Sequence, residues 1–254
     1  MSSYLSHRRK AFAGAFAPTD ITGCDLWLDA SDNSTVLDAT DAEASDDEAV
    51  KTWQDKSGNA NHAVQSTVAK QPLRRAAEVN GLDSIDFIGD YLVGTSDLTP
   101  RQTDEKTVFI VASADAAGTN TFLTLYDIVG ATSGSTGSMT AEVAYRIFDG
   151  AWVSSTPAST TNASMITLTQ ASTGDLLAAV NMWLDGSSVT RTGGADRAFA
   201  DRSCVYVLGN PESDGTGVSY DGDLCEIIVY DTELSTADRE SVETYLADKW
   251  GITI

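Results

Sequence analysis

Short apolar runs rich in Val, Ile, Phe and Tyr recur along the chain, separated by clusters of Gly, Asn, Asp and Ser. This rhythm predicts an all-β sandwich with many turns rather than a helical bundle. The strongest strand candidates are Asp25–Leu28, Ser84–Phe87, Thr107–Ser113, Thr121–Tyr126, Ala144–Phe148, Leu176–Leu184, Ser203–Leu208 and Cys225–Tyr230. Asn80-Gly81, Asp149-Gly150, Asp185-Gly186 and Asp221-Gly222 supply residues that tolerate positive φ, which tight turns require. Ala39 to Glu48 and the Ser/Thr/Gly runs 131–138 and 154–164 read as loops. One segment breaks the β rhythm. Ser235 can cap a helix with Asp238 at its third position, Val242, Tyr245, Leu246 and Trp250 make one apolar face, and Gly251 ends it.

Composition narrows what such a sandwich can do. A formal charge of −21 and a pI near 4.1 disfavour nucleic acid, because binding phosphates needs a basic face. The apolar stretches are far shorter than the ~20 residues of a membrane-spanning helix, so no membrane insertion is expected. Residues 1–20 show no apolar core of a signal peptide. Cys24, Cys204 and Cys225 have neither C-x-x-C spacing nor a nearby histidine, a pattern that predicts buried free thiols rather than zinc or a disulfide framework.

Against this acidic background the first residues stand out. His7, Arg8, Arg9 and Lys10 precede Phe12 and Phe16, a basic and aromatic arm whose Ala/Gly-rich composition does not fold alone. We read residues 1–20 as an extended N-terminal docking arm and 21–254 as one domain, its C-terminal helix spanning 235–250.

Candidate chemistry is sparse. Asp29 and Asp32, or Asp214, Asp221 and Asp223, are acidic loop residues of the type that ligates calcium, which takes six to eight oxygens; EF-hand spacing is lacking, and a solvated acidic loop is the default. Serine and cysteine nucleophiles have only His7 and His62 as bases. Trp27 and Trp53 read as core fillers before sugar-stacking platforms, and Asp55 to Asn61 as a structural turn whose side chains bond local backbone.

Several blocks together resemble a known family. Leu26-Trp27-Leu28-Asp29-Ala30-Ser31-Asp32 is followed by Trp53-Gln54-Asp55-Lys56-Ser57-Gly58-Asn59-Ala60-Asn61-His62-Ala63, then by Gln71-Pro72, Asn80-Gly81, Ile85-Asp86-Phe87 and Gly89-Asp90-Tyr91-Leu92. Asp221 to Asp231 and the helix from Leu234-Ser235 to Lys249-Trp250-Gly251 complete the series. In order and spacing these resemble concanavalin A-like, laminin G-like jelly rolls of bacterial surface and phage virion proteins, with Cys225 where a small or acidic residue is usual. The resemblance implies a jelly-roll β-sandwich of two antiparallel sheets. The arm is similar to the first residues of tailed-phage virion proteins that carry such a domain behind a docking segment. Together they imply a non-enzymatic virion structural protein, made in the host cytoplasm and displayed on the particle surface as capsid decoration, head fibre or tail appendage. Its partners would be other virion subunits, in a homo-oligomeric assembly, and a host surface glycan. The alternative is a glycan-binding adhesin or receptor-binding module of a phage tail or bacterial surface.

Glucanases of this fold place a Glu-x-Asp-x-x-Glu motif along one strand to set two carboxylates ~5 Å apart. That motif is absent. Its nearest counterpart, Asp221-Gly222-Asp223-Leu224-Cys225-Glu226, reads as starting in a turn with one acid inside the strand, so no catalytic residue is expected.

Overall fold

The alternation read from the sequence becomes two antiparallel sheets in the computed structural model, which describes residues 16–100, 104–115, 121–125, 137–140, 144–147, 151–154, 162–172, 179–190, 192–193, 205–210 and 219–254. The strands are β1 (Cys24–Asp29), β2 (Val36–Leu37), β3 (Thr52–Trp53), β4 (Ala63–Val64), β5 (Leu73–Val79), β6 (Leu82–Ile88), β7 (Leu92–Asp97), β8 (Lys106–Ala114) and β9 (Thr121–Thr124). Then come β10 (Gly137–Thr140), β11 (Ala144–Ile147), β12 (Ala151–Ser154), β13 (Ser164–Gln170), β14 (Val180–Leu184), β15 (Ser187–Ser188), β16 (Thr192–Gly193), β17 (Val205–Leu208) and β18 (Asp221–Tyr230). One sheet runs β15-β14-β13-β8-β18-β6-β5 with β1 also on β18; the other runs β16-β12-β11-β10-β9-β17-β7-β4-β3-β2. The fold is the all-β sandwich that the pattern predicts, of the jelly-roll type that the resemblance implies.

Inward-facing residues of both sheets, among them Leu26, Leu28, Phe87, Ile110, Leu168, Leu224 and Val229 from the first and Trp53, Leu92, Leu123 and Tyr206 from the second, form the main core. A second core lies on the outer face of the first sheet. There the helix α1 (Thr236–Trp250) lays Val242, Leu246 and Trp250 over Phe109, Val111, Met165, Ile228 and Tyr230. Local chemistry sets its limits: Ser235 Oγ accepts from Asp238 N at the start, and Gly251 at φ 72° makes the left-handed stop. A glycine tolerates that backbone without the Cβ penalty. Among the described residues no helix is long and apolar enough to cross a membrane.

β18 organises the first sheet. Along one edge it pairs with β8; along the other, Asp221 to Leu224 pair with β6 and Glu226 to Tyr230 with β1. The changeover falls at Cys225, where the register slips by one residue. An extra residue at a bulge resets the alternation of side chains. Leu224 and Ile227 both face the main core, and Cys225 and Glu226 are both left on the outer face.

Four sequence readings need correction. Asp221-Gly222 is not a turn: it lies inside β18 opposite Ile88 and Phe87. Gly222 is required there for closeness, since a Cβ would sit 2.3 Å from Ser113 O. The run 131–138 is not loop throughout, because Gly137 and Ser138 begin β10 on β9 and β11. The strand expected from Leu176 runs over Val180–Leu184, while residues 176–178 lie outside those described. Finally, residues 16–20, read as part of the arm, are built onto the domain: Pro18–Asp20 forms a short 3-10 turn, and Tyr230 Oη donates to Pro18 O at 2.8 Å. Asn80-Gly81 and Asp185-Gly186 do make two-residue turns, with all four φ angles positive; Asp149-Gly150 lies outside the described residues.

Candidate functional site

The residues of the family-like blocks converge on one carboxylate. Glu226 is fully buried, placed on the outer face by the Cys225 bulge, directly opposite Asp29 of β1. Its Oε1 accepts from Trp27 Nε1 and Tyr245 Oη, each at 2.8 Å, and its Oε2 accepts from Lys249 Nζ and Trp250 Nε1, each at 2.8 Å. Lys249 Nζ also donates to Asp29 Oδ1 at 2.6 Å. Lys56 Nζ closes the array, donating to Asp29 Oδ2 and Asp32 Oδ2 at 2.8 Å while lying 4.3 Å from the Trp27 ring centroid.

The electrostatics follow from this packing. Burial pushes the Glu226 carboxyl up, and Asp29 beside it adds to the rise, against the pull of Lys249 and Trp250. Burial would raise Asp29 too, but the Lys249 ammonium and the bonds from Lys56 and Ser31 hold it below the ordinary carboxylate range. Both oxygens of Glu226 are filled by protein donors, so no face is left for substrate or water. Asp29 and Asp32 do not fit calcium either: both Asp29 oxygens are held by ammonium groups, and a cation there would meet Lys56 and Lys249.

The acids of β18 must be reread. Asp221, Asp223 and Glu226 all lie within the strand, contrary to the expectation of a single strand acid, because Gly222 lets the ladder continue. Glu226 is the centre just described. Asp223 is buried and accepts from Ser84 Oγ at 2.6 Å. Asp214 lies outside the described residues. Among the described residues no group of three His, Cys, Asp or Glu side chains is arranged to hold a metal ion.

The Asp55–Asn61 segment is a turn fastened from within. Asp55 accepts from the backbone of Trp27, Ser57 and Asn61, and Asn59 and Asn61 donate to Asp25 O. His62 Nδ1 accepts from Asp55 N at 3.0 Å, so its ring fixes this turn. Trp53 is wholly in the main core; Trp27 is only half-buried and serves as a donor to Glu226. Cys24 and Cys225 are free thiols, half-buried and buried, and Cys204 lies outside the described residues.

Of the arm residues, Phe16 packs on its own domain, its ring centroid 5.6 Å from that of Tyr245, rather than standing free for a partner. Removing that ring from water accounts for its placement. His7, Arg8, Arg9, Lys10 and Phe12 lie outside the described residues. Lys56, Lys249 and Glu226 stand in the sequence blocks quoted above, but nothing in the sequence shows that they meet. A lone acid in the apolar run Leu224-Cys225-Glu226-Ile227-Ile228 signals only that a charge there must be paired.

No protein-family model matches the chain, and no curated protein matches it. Similar folds occur among solved structures. Domain 4 of an extracellular arabinanase of glycoside hydrolase family 43 from Geobacillus stearothermophilus, solved with arabinotriose, superposes with a TM-score of 0.57 at 11% identity over 87% of this chain and 98% of that domain. A family 54 α-L-arabinofuranosidase soaked with a cyclic sulfate inhibitor gives 0.59 at 12% identity over 92% of this chain and 66% of its own. Trypanosoma rangeli sialidase with the inhibitor DANA gives 0.55 at 12% identity, over 94% of this chain and 36% of its own. The shared feature is the β-sandwich. The chain thus spans about a third of the sialidase and nearly the whole of the arabinanase domain.

Proposed function

We propose that this chain is a non-catalytic, carbohydrate-binding β-sandwich displayed on a larger assembly. The observation that carries the reading is the closed shell around Glu226: the carboxylate at the centre of the site accepts four protein hydrogen bonds and is wholly buried. A general acid or base must reach the reacting group, and this one reaches only its own scaffold. Binding to sugar is supported by the likeness to an arabinanase domain solved with arabinotriose. α1 covers the outer face of the β18 sheet, which leaves the outer face of the β7–β17 sheet and the loops at its ends for a ligand.

Display is supported by the sequence. A basic arm at His7 to Lys10 on a chain of net charge −21 suits an acidic groove on another subunit, where Arg8 and Arg9 would pair with carboxylates. With the resemblance to tailed-phage proteins, this gives a phage virion surface protein docked through its arm; the adhesin of a phage tail or bacterial surface is the second form of the same binding reading. The test is a panel of arabino-oligosaccharides and sialylated glycans, read both by calorimetry and for released reducing sugar. Binding without release is expected. Sugar release by the purified chain, or no binding across the panel, overturns the corresponding half of the proposal.

A further inference from the structure

A second pair of carboxylates lies on the outer face of the β18 sheet, beyond the Cys225 bulge from Glu226. Asp223 of β18 and Asp86 of β6 are directly opposite in register, and both side chains are buried. Cross-strand partners hold their Cβ atoms about 4.5–5.5 Å apart, where like charges destabilise the pairing. Arg75 relieves only part of this. Its Nε and Nη2 both reach Asp86 Oδ2, at 2.8 and 2.7 Å, and its Nη1 turns to Asp47. Asp86 Oδ1 is left buried with no hydrogen-bond donor, an uncommon and costly state for a carboxylate oxygen.

We propose that Asp86 and Asp223 hold one proton between them, making the β6–β18 seam a clasp that tightens in mildly acidic surroundings. A proton taken from solvent onto Asp223 removes one of two facing negative charges and supplies the donor that Asp86 Oδ1 lacks. The surroundings favour this. Burial pushes the Asp223 carboxyl up to about 6, and Asp86, Glu78 and Asp115 push the same way against the bond from Ser84. From β6 the pair is faced by Ser84, from β5 by Arg75 and Glu78, and from β8 by Ser113, the cross-strand partner of Asp223, with Asp115 at the strand end. On its own strand, Asp221 and Cys225 flank Asp223 two residues away on either side.

The sign follows from linkage. A carboxyl whose folded pKa lies above its unfolded value contributes stability below the unfolded value and loses it as pH rises through the folded one. The clasp is therefore closed near pH 4 and opens as pH passes about 6. The first measurement is the 13C carboxyl titration of Asp223 in the unaltered chain, which requires no variant. A midpoint about 6 is expected, and one below about 4.5, the ordinary carboxylate range, overturns the proposal. The second is the same titration in Asp86→Asn. Sharing requires the midpoint to fall, whereas an unchanged midpoint shows that Asp223 is merely desolvated and ends the idea of a shared proton. The third is urea unfolding of Asp223→Asn at pH 7.5. The neutral side chain should raise the folding constant roughly tenfold or more over the unaltered chain and flatten its dependence between pH 4.5 and 7; equal or lower stability with an unchanged pH profile counts against the clasp.

Discussion

At the scale of single residues, Lys249 is the most informative position, because one ammonium group compensates two buried carboxylates, Asp29 and Glu226. Replacing it with Met keeps the length of the stem but leaves both acids facing each other across β1 and β18. Removing one partner of a buried ion pair costs about 3–5 kcal/mol, and that loss is expected for Lys249→Met in urea unfolding at pH 7.5. The pH dependence gives the cause. Lys249 lowers Asp29 and restrains the rise of Glu226, so without it both carboxyls titrate higher. Groups with raised folded values lose stability as pH rises. The deficit of the variant should shrink as pH falls toward the ordinary carboxylate range, because protonation removes the uncompensated charge; a deficit independent of pH would mean that lost packing, not charge, is responsible. Little of this was legible beforehand. Trp27, Asp29, Asp32 and Trp250 were visible as parts of a recurring pattern, but pairing Lys56 and Lys249 with Asp29 spans 27 and 220 residues, and no local rule connects such distances.

At the scale of elements, α1 is held by its apolar face and by the bonds of Tyr245, Lys249 and Trp250 to the buried carboxylates. Trp250 is 2% exposed and gives its Nε1 hydrogen to Glu226 Oε2. Truncation to Ala removes both the packing and a donor to a buried carboxylate, so a cost of about 3–5 kcal/mol is expected from large core truncations. A change below about 1 kcal/mol in thermal or urea unfolding would show that the helix does not dock through this residue. The helix was legible to within a residue because cap, apolar face and stop are local signals. Eight strands were legible for the same reason. β13 was not: Met165, Ile166 and Leu168 alternate with Thr167 and Thr169, and all are buried, so polar residues in a central strand concealed it. The error at Asp221-Gly222 came from reading an Asp-Gly pair by its turn propensity, when the close backbone of Ser113 and Ala114 demanded a glycine inside a strand.

At the scale of the whole molecule, the question is how a strongly acidic sandwich relates to its basic first residues. The contacts that tie the N-terminal region to the domain include Phe16 on Tyr245 and Tyr230 on Pro18. They lie on the α1 side, against the second core, so residues 16–20 meet the domain beside the helix. In the proposed function this is a division of labour between a docking side and a ligand side. It predicts a sharp boundary in a truncation series. If, as proposed, residues 1–15 serve a partner, removing them should leave the thermal midpoint of the domain unchanged. Removing Phe16 as well should lower it, because the Tyr245 ring loses a tilted aromatic neighbour worth about 0.5–1.5 kcal/mol beyond its area. Differential scanning calorimetry of the full chain and both truncations at one pH and salt concentration decides between the roles. Equal midpoints for the full chain and the 1–15 deletion, with a drop on loss of Phe16, support an arm that serves a partner. A drop already at the first truncation means that the basic residues strap the acidic surface of their own domain: a tail pairing Arg8 and Arg9 with the domain's carboxylates would show stabilisation that salt weakens, as screening reduces attraction between exposed charges.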